Sequence, residues 1–410
     1  MKIIVRHTDK LHGRANVPPS KSHTHRAIIL ASLASGISII RNPLKSADCL
    51  STMKACQAIG AQIKTEKTSL MITGVRGKPK TPDKVIDVGN SGTTLRFMSV
   101  IVAHCNGKVI LTGDESIQQR PIEPLLRSLN DLGAKTKAIK DNGRPPIAIQ
   151  GILKGGKTTL EGISSQFLSG ILISCPIAAS DSEIHVVKLK SKPYIDMTLQ
   201  HLKDSGVTIY HDNYSLYHIP KRQIIRPRQY IVPADYSSAA FLLAAANITK
   251  SNIDVVGLDW HDVQGDKIIR HVVEEMEAGE HREIDLGNAP DLLPITAVLG
   301  CYAKGTTIIK NVEHARFKES DRIKAMATEL QKMGANIQEK PDGLIIQHSS
   351  LKGTIVDGYK DHRIVMSLAI AGLRANGTTE INNAEVTAVS YPGFVETMQN
   401  LKANIYLEKS

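Results

Sequence analysis

The segment HARFKESDR, His314 to Arg322, interleaves four basic or potentially basic side chains with Glu319 and Asp321. Two further arginines stand outside any charge run, Arg120 in GDESIQQRPIEP and Arg363 in DHR. A planar guanidinium binds two oxygens of a carboxylate or phosphate at once, so isolated arginines suit small molecules carrying several negative charges. Lys21, Arg26, Arg96, His362 and Arg363 sit at or just inside the starts of strongly apolar segments. Any one charged stretch reads most simply as a solvated helix start. Cations repeatedly placed at the positive end of a helix dipole break a local rule, and such repetition points to function, here anion binding.

Six elements must position these groups. Polar turns lead into apolar helices at PPSKSHTHR from Ser20, GNSGTTLR with Asn90, SSQFLSG from Ser164, DYSSAAF from Asp235, NAPDLLP from Asn288 and YKDHRIV from Tyr359. Ser, Asp, Asn and Gly suit helix N-caps, and helices apolar all round, as in AAFLLAAANI and RIVMSLAIAG, are buried on most sides. Several such N-termini aimed at one place make an anion site. Between them recur amphipathic segments ending QAIGAQI, NDLGAKT, KDSGVTI and QKMGANI. Gly60, Gly133, Gly206 and, in the degenerate EMEAGEH, Gly279 succeed one another at intervals of 73 residues, and QNLKANI puts Lys402 in the glycine slot. Each is read as a helix stopped by a left-handed residue, with a strand next in the chain. The expected organisation is α/β, six copies each holding one buried and one half-exposed helix packed with strands.

A chain of 410 residues fits two or three domains, and 41% apolar with 22% charged residues fits a folded globular protein. The longest apolar stretches are too broken to span a membrane, and MKIIVRHTDK lacks the apolar run of a signal peptide, so no membrane partner or export is expected and the location is cytoplasmic. Five cysteines without a C-x-x-C pair read as reduced thiols. The formal charge of +11 comes from scattered basic residues with only 4% aromatic content, which argues against nucleic acid as a partner. Gly151 to Thr158 matches the nucleotide-binding pattern G-x-x-x-x-G-K-T, but its Lys157-Thr158-Thr159-Leu160 alternates like a strand where a helix must start. His23 and His25 have no companions at metal-ligand spacing, so no metal is expected, and no serine stands in a nucleophile elbow.

VPPSKSHTHRAIILASLA, GNSGTTLRF, RPI at Arg120, SSQFLSG, SKPYID, RFKESDR and DHR together resemble, in order and spacing, the signature segments of EPSP synthases, the enolpyruvyl transferases of the shikimate pathway. The resemblance covers essentially the whole chain. It implies a two-domain, inside-out α/β architecture of six βαβαββ repeats, three per domain, with one domain at residues 18 to 234 on the 3-phosphoshikimate side and the other combining 1 to 17 with 235 to 410, and with substrates bound in the cleft between them. It implies transfer of the enolpyruvyl group of phosphoenolpyruvate to the 5-hydroxyl of 3-phosphoshikimate, without cofactor, by a monomer that glyphosate inhibits.

By matching motifs, the resemblance assigns Lys21, Ser22, Arg26, Ser164, Ser165, Gln166, Ser191, Tyr194, Asp291, His314 and Lys318 to 3-phosphoshikimate. Lys21, Gly92, Arg120, Gln166, Arg322 and Arg363 go to phosphoenolpyruvate, with Asn90, Arg96 and His362 in support. Asp291 would take the proton of the attacking hydroxyl, and Glu319 and Lys21 would carry protons at the methylene carbon. Lys21, Arg120 and Arg322 are expected to be exposed cations whose removal leaves stability unchanged. Two positions depart from the family pattern: Val389 stands where many members have a lysine, and His314 where others have an asparagine. The alternative readings are the sibling UDP-N-acetylglucosamine enolpyruvyl transferase, which uses a cysteine in the loop that here reads GDESIQQRP, and, more remotely, an RNA-associated repeat protein.

Overall fold

Local capping chemistry starts five of the six apolar helices. In a computed structural model of the chain, which describes residues 1–409, Ser20 accepts from the His23 amide at the head of helix Lys21–Leu33. Ser91 accepts from Thr94 ahead of Gly92–Ile101, and Ser164 from Gln166 ahead of Ser165–Ser174. Asp235 caps Tyr236–Ile248 through Ser238, and Asp361 caps His362–Gly372 through Arg363. The sixth, Leu293–Tyr302, is entered instead from a 3-10 turn at Pro290–Leu292.

The half-exposed helices end as their sequences require. Gly60, Gly133, Gly206, Gly279 and Gly334 have φ between +77° and +115°, and Lys402 adopts φ +69°. At Gly334 the amide bonds to Gln331 O at 2.9 Å and the next amide, Ala335, reaches back to Leu330 O at 2.9 Å, the paired bonds of a Schellman motif. The same pair recurs at Gly60, Gly133, Gly206 and Lys402. At Gly279 the paired bonds are replaced by a single bond from Ala278 to Glu275 O.

That weaker end marks a shortened copy. Among the described residues five sheets have four strands each, and the sixth has two, Arg14–Asn16 and Asp254–Val256 in parallel. Four of the four-stranded sheets join a parallel pair to an antiparallel hairpin, as where Ile37–Arg41 pairs in parallel with Gln229–Ile231 and antiparallel with Ser69–Thr73, and in the fifth Lys2–Arg6 pairs antiparallel with Thr378–Asn382 and Ile405–Glu408. Such a hairpin comes directly after the helix end at Gly60, Gly133, Gly206 and Gly334. After Gly279 the chain goes straight into His281–Asp285, which belongs to the next sheet, so the helix before it has no hairpin to launch.

The chain divides into two compact units, Pro19–Pro233 and Met1–Pro18 with Ala234–Ser410. Pro19–Pro233 packs three buried helices, with Ile28, Phe97 and Leu168 fully buried, inside three four-stranded sheets. The other unit buries Phe241, Ile295 and Leu368 from its own three helices inside two four-stranded sheets and the two-stranded one. The G-x-x-x-x-G-K-T segment is a turn leading into strand Gly156–Glu161, paired in parallel with Ser182–Val187. No helix of the described residues is long and apolar enough to cross a membrane.

Candidate active site

In Pro19–Pro233 the helix starts gather most of the expected anion-binding residues. Lys21, in the first turn of its helix, lies 3.1 Å from the buried Asp48 carboxylate. Arg26, one turn further, is buried, and its guanidinium donates to Thr198 Oγ1 (2.8 Å), Ser22 O (3.0 Å), Ser169 Oγ (3.3 Å) and Tyr194 O (2.9 Å). It also lies over the Phe97 ring. Burial pulls its pKa down to about 10, so Arg26 is cationic at neutral pH while holding Ser22 and Tyr194 in place. Ser191, before helix Pro193–Asp204, has a left-handed φ of +56°, strain of the kind that collects at functional positions.

Around the start of helix Gly92–Ile101, Arg96 donates to Gln166 Oε1, and Gln166 Nε2 donates to Thr93 Oγ1 at 2.9 Å. Arg120 Nη2 lies 3.3 Å from both Asn90 Oδ1 and Ser116 Oγ. Asn90 in turn donates to Asp114 at 2.6 Å. A β-carbon on Gly92 would come within 2.5 Å of Arg120 Nη1 and 3.3 Å of Arg96 Nη1. The glycine is therefore what lets two guanidinium groups close over a helix N-terminus.

The second unit gathers a denser cluster. Asp291 Oδ1 accepts from Arg322 Nη1 at 2.8 Å and faces Lys318 Nζ at 3.3 Å, while Oδ2 faces Arg363 Nη2 at 3.1 Å. Arg322, 1% exposed, also donates to Asp361 (2.8 Å) and Glu319 (2.7 Å). Burial works against its charge, but Asp361, Glu319 and Asp291 outweigh that penalty and hold its proton more tightly than usual. For Lys318 burial prevails and lowers the ammonium, with Asp291 opposing. His314 lies in the 3-10 turn Glu313–Phe317 leading to Lys318, and His362 comes next after the Asp361 cap. Val389 ends the 3-10 segment Ala384–Val389, half-buried.

The expectation of exposed site cations fails. Arg120 is 6% exposed, Arg322 1%, and the Lys21 side chain 14%. Arg322 and Lys21 each neutralise buried carboxylates, so they hold the fold as well as the charge pattern. Sequence reading also missed Asp48, Asp361 as a partner of Arg322, and Asp266. Asp266 is buried beside Ser237, which donates to it, and burial with the nearby Asp291 pushes its pKa up to about 7. Its segment HDVQGDK looks like a polar surface turn, and only the fold brings it to this cluster.

Buried helix starts lined with paired arginines define an α/β protein built to hold small, multiply anionic molecules. The family model of EPSP synthase (3-phosphoshikimate 1-carboxyvinyltransferase) matches residues 5–398. Among curated relatives, the 3-phosphoshikimate 1-carboxyvinyltransferase of Acetivibrio thermocellus is 44% identical, over 97% of each chain. That of Methanothrix thermoacetophila is 48% identical over 96% of this chain and 97% of its own. The solved EPSP synthase structure from Acinetobacter baumannii superposes with a TM-score of 0.84 at 26% identity, covering 100% of both chains. The chain belongs to the EPSP synthase family.

Proposed function

We propose that the chain makes 5-enolpyruvylshikimate 3-phosphate and phosphate from phosphoenolpyruvate and 3-phosphoshikimate by addition and elimination. The activity, 3-phosphoshikimate 1-carboxyvinyltransferase (EC 2.5.1.19), is that of its full-length relatives. In the addition, the methylene carbon of phosphoenolpyruvate gains a proton as the 5-hydroxyl oxygen attacks the adjacent carbon and loses its own, giving a tetrahedral intermediate. In the elimination, phosphate leaves that carbon and the methyl group returns a proton.

Asp291 takes the hydroxyl proton, and Glu319 and Lys21 serve the methylene carbon, general acid and base roles that need groups on different atoms. Lys21, Ser22, Arg26, Ser164, Ser165, Gln166, Ser191, Tyr194, His314 and Lys318 hold 3-phosphoshikimate. Gly92, Arg120, Gln166, Arg322 and Arg363, with Lys21, hold phosphoenolpyruvate. Cations fixed before the reaction stabilise charge as it develops on carboxylate and phosphate. The observation that carries these roles is the triple contact of Asp291 with Arg322, Arg363 and Lys318, which orients a carboxylate inside a cationic cluster. Glyphosate, an anionic compound, would compete with phosphoenolpyruvate at the Arg120 and Gly92 site. A reducing, cytoplasmic setting fits five free, buried cysteines, of which burial raises Cys56, Cys175 and Cys301 to about 12, far from thiolate reactivity.

The test is steady-state kinetics of Asp291→Asn. Loss of at least about a hundredfold in kcat, beyond any rise in KM from the disturbed contacts with Arg322, Arg363 and Lys318, supports the proton-accepting role, whereas near-normal turnover removes Asp291 from it.

A further inference from the structure

We propose that His23, His201 and Tyr230 form a clamp that positions the first turn of helix Lys21–Leu33 for the phosphate of 3-phosphoshikimate. The clamp's role rests on the assignment of Lys21, Ser22, Arg26 and Tyr194 to that substrate. His23 is 4% exposed, and its Nδ1 lies 2.8 Å from His201 Nε2 and 2.7 Å from the Tyr230 hydroxyl. His201, 1% exposed, has its other nitrogen, Nδ1, 2.6 Å from Arg228 Nη2. Arg228 is held from the other side by Asp204 at 2.8 Å and lies over the Tyr230 ring at 4.5 Å.

The contact with Arg228 fixes the roles of the two His201 nitrogens. A guanidinium only donates, so His201 Nδ1 is an acceptor. Burial, with His23, Arg228 and Arg26 adding, holds His201 well below the ordinary histidine range, so the ring is neutral and its one proton sits on Nε2. His201 therefore donates to His23 Nδ1, and the Tyr230 hydroxyl lies against the same nitrogen. Arg228 thus sets the His201 tautomer.

The clamp sits where it can set the phosphate site. His23 adjoins Ser22 and Lys21, and Arg26 lies one turn on. On helix Pro193–Asp204, Tyr194, Thr198 and His201 share one face at helical spacing. Arg26 grips Tyr194 O and Thr198, and His23 grips His201, so two polar ties one turn apart lock the two helices together. The charged groups that act on His201 are Arg228, paired with Asp204, and Arg26. None of the clamp residues is assigned to substrate, so their role is positional.

The test compares kcat and KM for 3-phosphoshikimate in wild type, His201→Leu, His201→Gln, Tyr230→Phe and Ser22→Ala. His201→Leu removes the donor to His23 and is expected to raise KM about tenfold with kcat within about twofold. Gln at 201 restores a donor and should recover most of that loss, which a purely structural role would not produce. Tyr230→Phe, which deletes one hydroxyl and keeps the comparison available if His201→Leu does not fold, should raise KM about threefold. An unchanged KM in Tyr230→Phe, or equal effects of Leu and Gln at 201, overturns the clamp. Ser22→Ala separates the two levels: a raised KM there with normal His201 variants contradicts only the clamp, and an unchanged KM in Ser22→Ala contradicts the phosphate-site assignment itself.

Discussion

Nη1 of Arg322 donates to Oδ1 of Asp291 at 2.8 Å, while the rest of the same guanidinium is shared between Asp361 and Glu319. One fully buried cation thus ties the proposed base, the proposed proton carrier and the cap of helix His362–Gly372 into one unit. Arg322→Ala leaves three carboxylates without their shared partner, so it should cost about 3 to 5 kcal/mol of stability as well as activity. Arg120, which donates to the neutral Asn90 and Ser116, should lose activity with a much smaller fall in Tm on replacement by Ala. Thermal melts of both variants check this. Equal melting temperatures for the two would mean that the Arg322 cluster does not bear on stability.

Gly92→Ala is expected to keep the fold and weaken anion binding, because the added methyl meets the guanidinium end of the Arg120 side chain at 2.5 Å rather than backbone. Displacing one charge-assisted contact of about 1.5 to 3 kcal/mol corresponds to roughly ten- to a hundredfold in KM for phosphoenolpyruvate and in glyphosate inhibition. Val389→Lys tests the opposite direction, since an added cation there should strengthen both. Inhibition constants that do not move in Val389→Lys would show that another residue already fills that role.

The helix ends give a stability prediction with no bearing on the reaction. Lys402 holds φ +69° in a Schellman motif that elsewhere in the chain uses glycine, and a side chain in that region costs about 1 to 2 kcal/mol. Lys402→Gly removes that strain while loosening the unfolded chain, leaving a net gain of about 0.5 to 1 kcal/mol. Gly334→Ala should lose about 1 kcal/mol, with only Ser350 O near the new methyl, at 3.9 Å. Denaturant midpoints at constant m-value are the measurement.

These helix ends, and the caps at Ser20, Ser91, Ser164, Asp235 and Asp361, were legible in the sequence because the chemistry that makes them spans three to five neighbouring residues. The shortened copy left two traces, the poor glycine motif at Gly279 and a spacing of 55 residues from Gly279 to Gly334 where the earlier glycines are 73 apart. Burial of the site cations was not legible. Arg322 and Asp361 are 39 positions apart, and Arg26 and Thr198 172, so nothing local marks them as paired. Asp266 was hidden for the same reason: a carboxylate in a polar turn looks solvated until Asp291 and Arg363 are packed beside it.

Buried histidines set an acid limit. Burial lowers His104 to about 4, with Ser174 opposing, and holds His25 and His201 well below the usual histidine range. The unfolded chain takes up these protons near pH 6.5 while the fold refuses them, so stability falls as pH drops from about 6.5 toward the folded values. For His104 the loss is at most about 3 kcal/mol by pH 4. Melts from pH 8 to pH 4 should show a smaller acid decline for His104→Gln than for wild type. Asp266 acts in the reverse sense, because its raised pKa of about 7 makes the fold hold a proton the unfolded chain gives up, so stability is lost as pH rises from about 4 to about 7. Asp266→Asn should therefore gain on wild type across that range.

The acceptor alcohol separates this reaction from that of the sibling transferase. Phosphate release from phosphoenolpyruvate, read by a coupled assay with 3-phosphoshikimate in one arm and UDP-N-acetylglucosamine in the other, decides between them. Release dependent on 3-phosphoshikimate and absent with the nucleotide sugar is expected, with loss of that release in Asp291→Asn. Release with UDP-N-acetylglucosamine alone would contradict the proposed function and assign the Asp291 and Arg322 cluster to the sibling reaction.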